Sequence, residues 1–547
     1  MLDKELKNAL EHFEQLNVLI IDDNTLVHGV LTDALRGLGI REIKCAQNAY
    51  YGLRLCEQMH FHIVICSFNV QSDKDGFHLL EELKFRGFVK KSTVLIFLSA
   101  ETSETLVNSI VELQPDDFWV KPLSPSNVKK RLTYALQIKR KLFSIYQAVD
   151  HKNFAKAIYY ADRFLLDSSL QKYFPNMLRM KGEAYLSLRE FVEAERFFKD
   201  LLTQYQYSWV HLGYVQALLK QGRIDEIHTL LAELVDKPDT RFATHDMLAQ
   251  YYIEQENYAQ AYQEIKRARE LAPRNIERNK KFWDLARLNH DHLGQYQATK
   301  AIATHAKNSV HDSPRLLLNV VRAGIDLANT LADSNGDKVL AEAERYLKAL
   351  ETGGEGESFR EEILVAQARI CNVRKQVERA TRIVETHLSL RTSTDIEDNL
   401  DKVKVFHELG MREEALKILQ AIGNQIAGES LTSQVVTKYI EQEMDERQAI
   451  FFTARQLHEM AVEHFQKKRL EPALASLVQA LQLSPKNTKL AMNLIKVLIT
   501  IKREAHFTSE HETLAEQGFN ILNDHHFSGS SLEAVNKLKA QWQASMH

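Results

Sequence analysis

Between Leu16 and about Ala135, short apolar runs alternate with amphipathic stretches in five successive repeats. The apolar runs are Val18–Ile21, Ile43–Ala46, Ile63–Cys66, Val94–Leu98 and Phe118–Val120. The stretches Leu26–Leu38, Tyr50–Met59, Phe77–Phe85 and Thr102–Leu113 carry helical spacing, and a last helix follows Pro122-Leu-Ser-Pro125. Nearly continuous apolar strands separated by amphipathic helices require a parallel sheet with both faces covered. In such sheets the functional residues gather at the carboxyl ends of the strands.

The polar residues at those ends are specific. Asp22 and Asp23 follow the first strand, Ser67 the third, Ser99 the fourth, and Lys121-Pro122 the fifth. Adjacent carboxylates suit a hard dication such as Mg²⁺. A lysine and a small hydroxyl suit phosphoryl oxygens. Asp22/Asp23, Ser99, Phe118 three residues before Lys121, and Asp75-Gly76 in the third loop all occur in the correct order. On these residues the segment resembles the receiver domain of two-component response regulators. The resemblance covers about a quarter of the chain. It implies a flavodoxin-like (βα)5 fold, in which the residue at position 67 is both phosphoryl acceptor and Mg²⁺ ligand.

Here that residue is Ser67. An ionised carboxylate can attack phosphohistidine, whereas an unassisted serine hydroxyl is a poor nucleophile. His62 lies an odd number of residues back along the strand, so it faces the opposite side and cannot act as its base. The loop from Ser67 to Gly76 also lacks the proline often found there in the family. A pseudo-receiver that takes no phosphoryl group is expected, with degenerate acceptor Ser67 and pocket remnants Asp22, Asp23, Ser99, Phe118 and Lys121. Two alternatives stay open. Asp73 or Asp75 could accept phosphate instead, and the retained acids could be an inherited ion-pair cluster. No cofactor is expected beyond a weakly held Mg²⁺ at Asp22 and Asp23.

The remainder reads as helices. Gly 20 and Pro 9 are few for 547 residues, which favours long helices with short connections. Gly182, Tyr185 and Ala194 share their spacing with Ala249, Tyr252 and Ala261, and Ala461 with Ala473. Ala261, Ala268 and Pro273 are spaced like Ala473, Ala480 and Pro485. Ala194 and Ala261 stand 67 residues apart, close to twice the ~34-residue tetratricopeptide period. The stretch therefore resembles a tetratricopeptide array. Clear units lie at 177–210, 244–277 and 456–489, and further units surround Phe154–Ala157 and Leu409–Ala415. The signature blurs from 278 to 400, with a loop at Gly353–Gly356. Periodic aromatics such as Tyr185, Phe198, Tyr252 and Tyr258 read as interhelical core, and the groove of such an array implies a protein ligand.

Several function classes drop out. A net charge of −3 gives no pull toward nucleic acid or anionic lipid. The basic turns Lys129–Arg131 and Lys139–Lys141 read as a solvated face. Cys45, Cys56, Cys66 and Cys371 show no ligand spacing, and neither His290-Asp-His292 nor His525-His526 has partners at metal-site spacing. Glu414-Ala415-Leu416 sits inside a repeat without companion metal motifs. No signal sequence or membrane span is evident, so a cytoplasmic protein is expected.

The expected architecture is thus multidomain: an N-terminal helix at 1–15, a degenerate α/β receiver at 16–138, and an all-α tetratricopeptide solenoid at 139–547. The expected role is that of a non-enzymatic accessory response regulator in phosphorelay signalling. Its receiver would dock a histidine kinase or another response regulator through Thr25–Leu38 and Pro122–Ser126, and its array would hold a further protein. A second copy of the chain is another candidate partner; a phosphorylation-driven switch and a plain scaffold are the alternative functions.

Overall fold

A computed structural model describes residues 12–70, 74–307, 309, 311–330, 334–354, 356–426, 432–449, 452, 454–485, 487–504, 507–524, 527 and 530–545. Of the helix expected at 1–15, residues 1–11 lie outside the described residues, and Phe13–Gln15 forms one 3-10 turn. Asp73 and His525-His526 also lie outside them. The chain divides into two compact units. The first comprises Met1–Arg278 with His305–Asp312, and the second Asn279–Thr304 with Ser313–His547.

Five parallel strands open the first unit: β1 (Asn17–Ile21), β2 (Glu42–Ala46), β3 (Ile63–Ser67), β4 (Val94–Ser99) and β5 (Asp117–Val120), in the order β2-β1-β3-β4-β5. Between them run α1 (Thr25–Arg36), α2 (Ala49–Gln58), α3 (Gly76–Phe85) and α4 (Glu104–Glu112), and α5 (Pro125–Lys141) follows β5. Side-chain alternation sends Val18, Ile20, Ile63 and Ile65 to one layer with Leu31, Leu35, Leu132 and Leu136 of α1 and α5. Leu19, Ile21, Val64 and Cys66 go to the other, with Leu53, Leu79, Leu83 and Ile110 of α2, α3 and α4. The doubly wound sheet follows from these continuous apolar strands.

Helices continue through the first unit from α6 (Phe143–Asp150) and α7 (Phe154–Leu165) to α8 (Phe174–Ser187), α9 (Phe191–Leu202), α10 (Ser208–Lys220), α11 (His228–Asp236), α12 (Arg241–Glu254) and α13 (Tyr258–Leu271). Small residues let them approach. A Cβ on Gly182 would stand 2.5 Å from the Phe198 ring, and one on Gly213 2.3 Å from it. Ala157, Ala161, Ala194, Ala261 and Ala268 are fully buried.

A backbone signature recurs where the sequence pattern blurs. Lys152, Arg189, Gly222, Glu256, His290, Lys375, Gly410 and Lys468 adopt positive φ, each two residues before a helix or 3-10 turn begins. In each turn the next N–H donates to the carbonyl five residues back, at 2.8–3.1 Å. This is the left-handed helix stop that glycine favours. Only two of the eight positions carry glycine, so composition hides the signal. Arg189, Gly222, Glu256 and His290 are 33, 34 and 34 residues apart, which carries the helix-pair period past residue 278.

The second unit contains helices and connecting turns but no strand among its described residues. The helices central to its interior are α14 (Ile276–Leu288, entering from the first unit), α15 (His292–Ala306), α16 (Pro314–Thr330), α17 (Ser334–Thr352), α18 (Arg360–Val373), α19 (Val377–His387) and α20 (Ile396–Glu408). They are followed by α21 (Arg412–Ile426), α22 (Thr432–Ala449), α23 (Ala454–Gln466), α24 (Leu470–Leu483) and α25 (Thr488–Glu504). Two more helices, Ser509–Asn523 and Ser530–Ala544, complete a core around Leu494, Leu498 and Trp542. No described helix is long and apolar enough to cross a membrane. The four cysteines are free thiols.

Burial holds two first-unit imidazoles neutral. It pushes His62 and His305 down from 6.5 to about 4, with nearby cationic groups adding to the effect. An unfolded chain binds protons at these rings from about pH 6.5 downward while the folded one resists until about pH 4. Stability of the first unit is therefore full above pH 6.5 and declines as pH falls through that window. Melting temperatures measured between pH 7.5 and 4.5 should drop steadily; a flat profile would contradict the burial of these rings.

Candidate functional site

The strand order brings β1, β3, β4 and β5 to one rim of the sheet, and their carboxyl ends assemble the residues singled out from sequence. Asp22 is completely buried. Its Oδ1 accepts the Asn24 N–H at 2.9 Å, and its Oδ2 lies 2.6 Å from Lys121 Nζ, which reaches over from β5. Asp23 is half-buried, and its N–H donates to the Asn69 carbonyl at 3.4 Å. Ser67 is 1% exposed, and its hydroxyl has no hydrogen-bond partner among the described residues. Ser99 is buried and accepts the Glu101 N–H at 2.9 Å through Oγ, which closes a local turn. Phe118 stacks on Phe97 with centroids 6.1 Å apart.

The charge balance differs from that of a dication site. One Asp22 oxygen is neutralised by Lys121 and the other holds a backbone N–H. Where a third carboxylate would stand there is a neutral hydroxyl. Among the described residues no three His, Cys, Asp or Glu side chains converge as metal ligands. Mg²⁺ requires several hard oxygens at near-octahedral positions, so the residues present do not fit it. His62 gives Ser67 no help. It precedes β3 at the far end, where its Nδ1 accepts the Asn17 N–H at 2.9 Å.

Asp75-Gly76 earns its place by sterics. The Gly76 N–H donates to the Phe68 carbonyl at 2.8 Å, and a Cβ on Gly76 would stand 1.7 Å from the Ser67 carbonyl oxygen. Only glycine permits α3 to begin this close to the end of β3. Asp75 caps α3 by accepting the His78 N–H at 3.0 Å, and its Oδ1 lies 2.7 Å from His78 Nδ1. Its Oδ2 lies 2.5 Å from Arg274 Nη1. Burial alone would raise the Asp75 carboxyl, but the bonds to His78 and the Arg274 charge outweigh it and hold it at about 2.

Arg274 was not legible as a site residue. It comes from the turn after α13, and its guanidinium also lies 5.0 Å from the centroid of the Phe68 ring. Around it the helical stretch of the first unit covers α3 and α4. His305 stacks on His78 with centroids 6.4 Å apart. Asn108 donates to the Leu271 carbonyl at 3.3 Å, and Glu112 accepts from Asn275 at 3.2 Å and pairs with Arg278. Arg241 lies 3.5 Å from Glu104. Nothing in the local pattern marks these polar residues, because the contacts span up to 199 positions. The opposite flank is open: Leu26 at the start of α1 is 77% exposed, and Pro122, Ser124, Pro125 and Ser126 are exposed.

Arg274→Ala should therefore loosen the β3–α3 loop. Both partners retain some solvent access, so a loss of about 1 kcal/mol is expected after screening. Hydrogen exchange in α3 should rise several-fold with the sheet amides unchanged. Unchanged α3 protection would mean the contact contributes nothing.

Comparison with known proteins finds matches over the same segment. Residues 18–133 match the response regulator receiver domain family. A protein from Rhizobium etli named as a probable chemotaxis protein CheY is 29% identical over 116 residues, spanning 21% of this chain and 88% of that protein. Among solved structures, the chemotaxis response regulator CheY4 of Vibrio cholerae is 22% identical, covering 22% of this chain and 98% of its own with a TM-score of 0.21. A CheY-like receiver domain protein from Methanospirillum hungatei is 23% identical, covering 23% and 97%, also at 0.21.

Proposed function

We propose, with residues 18–133 taken as a response regulator receiver domain, that this chain is an accessory response regulator that docks without accepting phosphate. One observation carries the reading: the acceptor position holds Ser67, a buried hydroxyl with no hydrogen-bond partner among the described residues and with Lys121 already engaged by Asp22. The receiver keeps the shape that a kinase or a fellow receiver recognises, and its reaction is gone. It uses no cofactor, holds Mg²⁺ weakly at most, and performs no chemistry of its own. By occupying a histidine kinase through α1 and the loop Pro122–Ser126, it slows phosphotransfer to a competent receiver. The open flank at Leu26 supports that choice of docking face.

The helical remainder acts as a tetratricopeptide array that binds a further protein. The 33-to-34-residue recurrence of left-handed turns and the buried small residues support it. The combination resembles VieB, and the resemblance would imply bacterial cytoplasmic partners, a sensor kinase and a receiver-linked cyclic di-GMP phosphodiesterase.

The alternative of a non-standard acceptor loses ground at Asp75, whose two oxygens are engaged by a helix cap, His78 and Arg274. The test is phosphotransfer from a radiolabelled histidine kinase to its own receiver with and without this chain. Slowed transfer with no label on the chain is expected. Acquired, hydroxylamine-labile label would overturn the proposal, and unchanged kinetics together with no kinase capture would leave a scaffold role instead.

A further inference from the structure

The second unit carries a cavity of about 650 Å³, open on one side and unrelated to the receiver pocket. Its size falls within the ~300–1,000 Å³ range of small-molecule sites. Its wall is ionic, with both signs present. Asp326 pairs with Arg369 and Lys404, each at 2.6 Å, and Glu443 pairs with Arg447 at 2.6 Å. These pairs neutralise one another, and three residues of the same wall each carry a buried polar atom with no hydrogen-bond partner among the described residues.

Arg287, at 4% exposure, lies over the Trp283 ring at 3.8 Å and gives Nη2 to Glu397 at 2.6 Å. Its Nη1 makes no hydrogen bond among the described residues, and the Asp284 carboxylate stands 3.6 Å off. Glu408 Oε1 accepts from Arg369 at 2.8 and 3.1 Å, while Oε2 has no partner among those residues. His292 Nδ1 likewise has none. Burial, with Lys404 and His290 adding to it, outweighs Asp326 and pushes this imidazole down to about 4, so it lines the wall as a neutral donor–acceptor. Buried polar groups are satisfied in nearly all native proteins, and three unpartnered atoms on residues that line one cavity point to a function there.

What would satisfy them is constrained by chemistry. Arg287 Nη1 demands an acceptor, ideally anionic, and Glu408 Oε2 demands a donor, ideally cationic. A simple anion would meet Asp326, Glu408 and Glu443, and a simple cation would meet Arg287, Arg369 and Arg447, so either alone is repelled by part of the wall. We propose that this cavity binds a zwitterionic small molecule of the short-peptide class, its carboxylate directed to Arg287 and its ammonium to Glu408. The apolar stretches of the wall, among them Ala328, Val373 and Leu490, leave room for side chains between the two charged ends.

The test uses the full chain and a mixture of tripeptides Ala-Xaa-Ala with free termini. Matched probes are the same mixture acetylated and amidated, glutarate as a dianion and cadaverine as a dication. Free-terminus peptides at millimolar concentration should raise the melting temperature by several degrees and bind in equilibrium dialysis, while the other three leave it unchanged. Glu408→Gln, which keeps shape and removes charge, should weaken binding at least tenfold. Arg287→Lys serves as the second variant, and circular dichroism checks that each variant folds. Absence of binding by the free-terminus mixture, equal binding of any control probe, or undiminished binding by folded Glu408→Gln would each overturn the proposal.

Discussion

Ser67→Asp is expected to turn a metal-indifferent fold into a Mg²⁺-dependent one. The new carboxylate enters a site that is 1% exposed, close to buried Asp22, whose charge Lys121 already balances. Without a dication the added charge is uncompensated. Like charges in such a place raise a carboxyl's pKa and destabilise the fold by several kcal/mol in round terms, roughly the 3–5 kcal/mol seen when a buried charge loses its partner. With Mg²⁺ at a hundredfold over its dissociation constant, binding returns about 2.7 kcal/mol. The melting temperature of the variant should therefore fall below wild type in EDTA and recover in millimolar Mg²⁺, while wild type ignores the ion. Label from a phosphorylated kinase should appear on the variant only with Mg²⁺ present. If the variant melts identically in EDTA and Mg²⁺, the missing carboxylate is not what separates this pocket from a working one.

Arg369→Leu should be the most damaging single change in the second unit. Arg369 is 1% exposed and meets Asp326 at 2.6 Å, Asp401 at 2.6 Å and Glu408 at 2.8 Å. Burial would raise the Asp326 carboxyl, yet Lys404 and Arg369 hold it far below the carboxylate range. Removing the guanidinium strands these acids and should cost about 3–5 kcal/mol. The loss has a pH signature. In wild type the depressed Asp326 contributes stability that is present above pH 3.8 and lost as pH falls through its folded value. In the variant the stranded acids rise instead, so the deficit should be largest at neutral pH and shrink toward pH 4. Hydrogen exchange in α18 measured at pH 7 and pH 4.5 reads the deficit and its shrinkage, because wild type keeps the Asp326 contribution at both. A deficit below 1 kcal/mol, or one independent of pH, would mean the network is dispensable. Arg369→Lys should fall between, because an ammonium cannot fork to three carboxylates.

The uneven legibility of the chain has physical causes. Val18–Ile21 and Ile63–Cys66 announced buried parallel strands because burial on both faces leaves no polar alternation. The rim residues Asp22, Ser67, Ser99 and Lys121 were readable because a parallel sheet delivers every strand end to the same side. The repeat from 278 to 400 was not readable from composition. At His290 and Lys375 the left-handed turn persists without the glycine that elsewhere betrays it. Nothing in the local sequence marks Arg322, Arg369, Asp398 and Asp401 as interior residues, and only packing against one another placed them inside.

Local pattern, which reports on neighbours within a turn or a strand, determined the alternating α/β beginning, the helical remainder and the place of Ser67 at the end of β3. Tertiary structure alone decided that Arg274 grips the loop after Ser67, that α3 and α4 are covered while α1 stays open, and that ionic groups line a cavity in the second unit. Those facts depend on side chains brought together from distant positions, and the attraction between two charges is not written in either residue by itself.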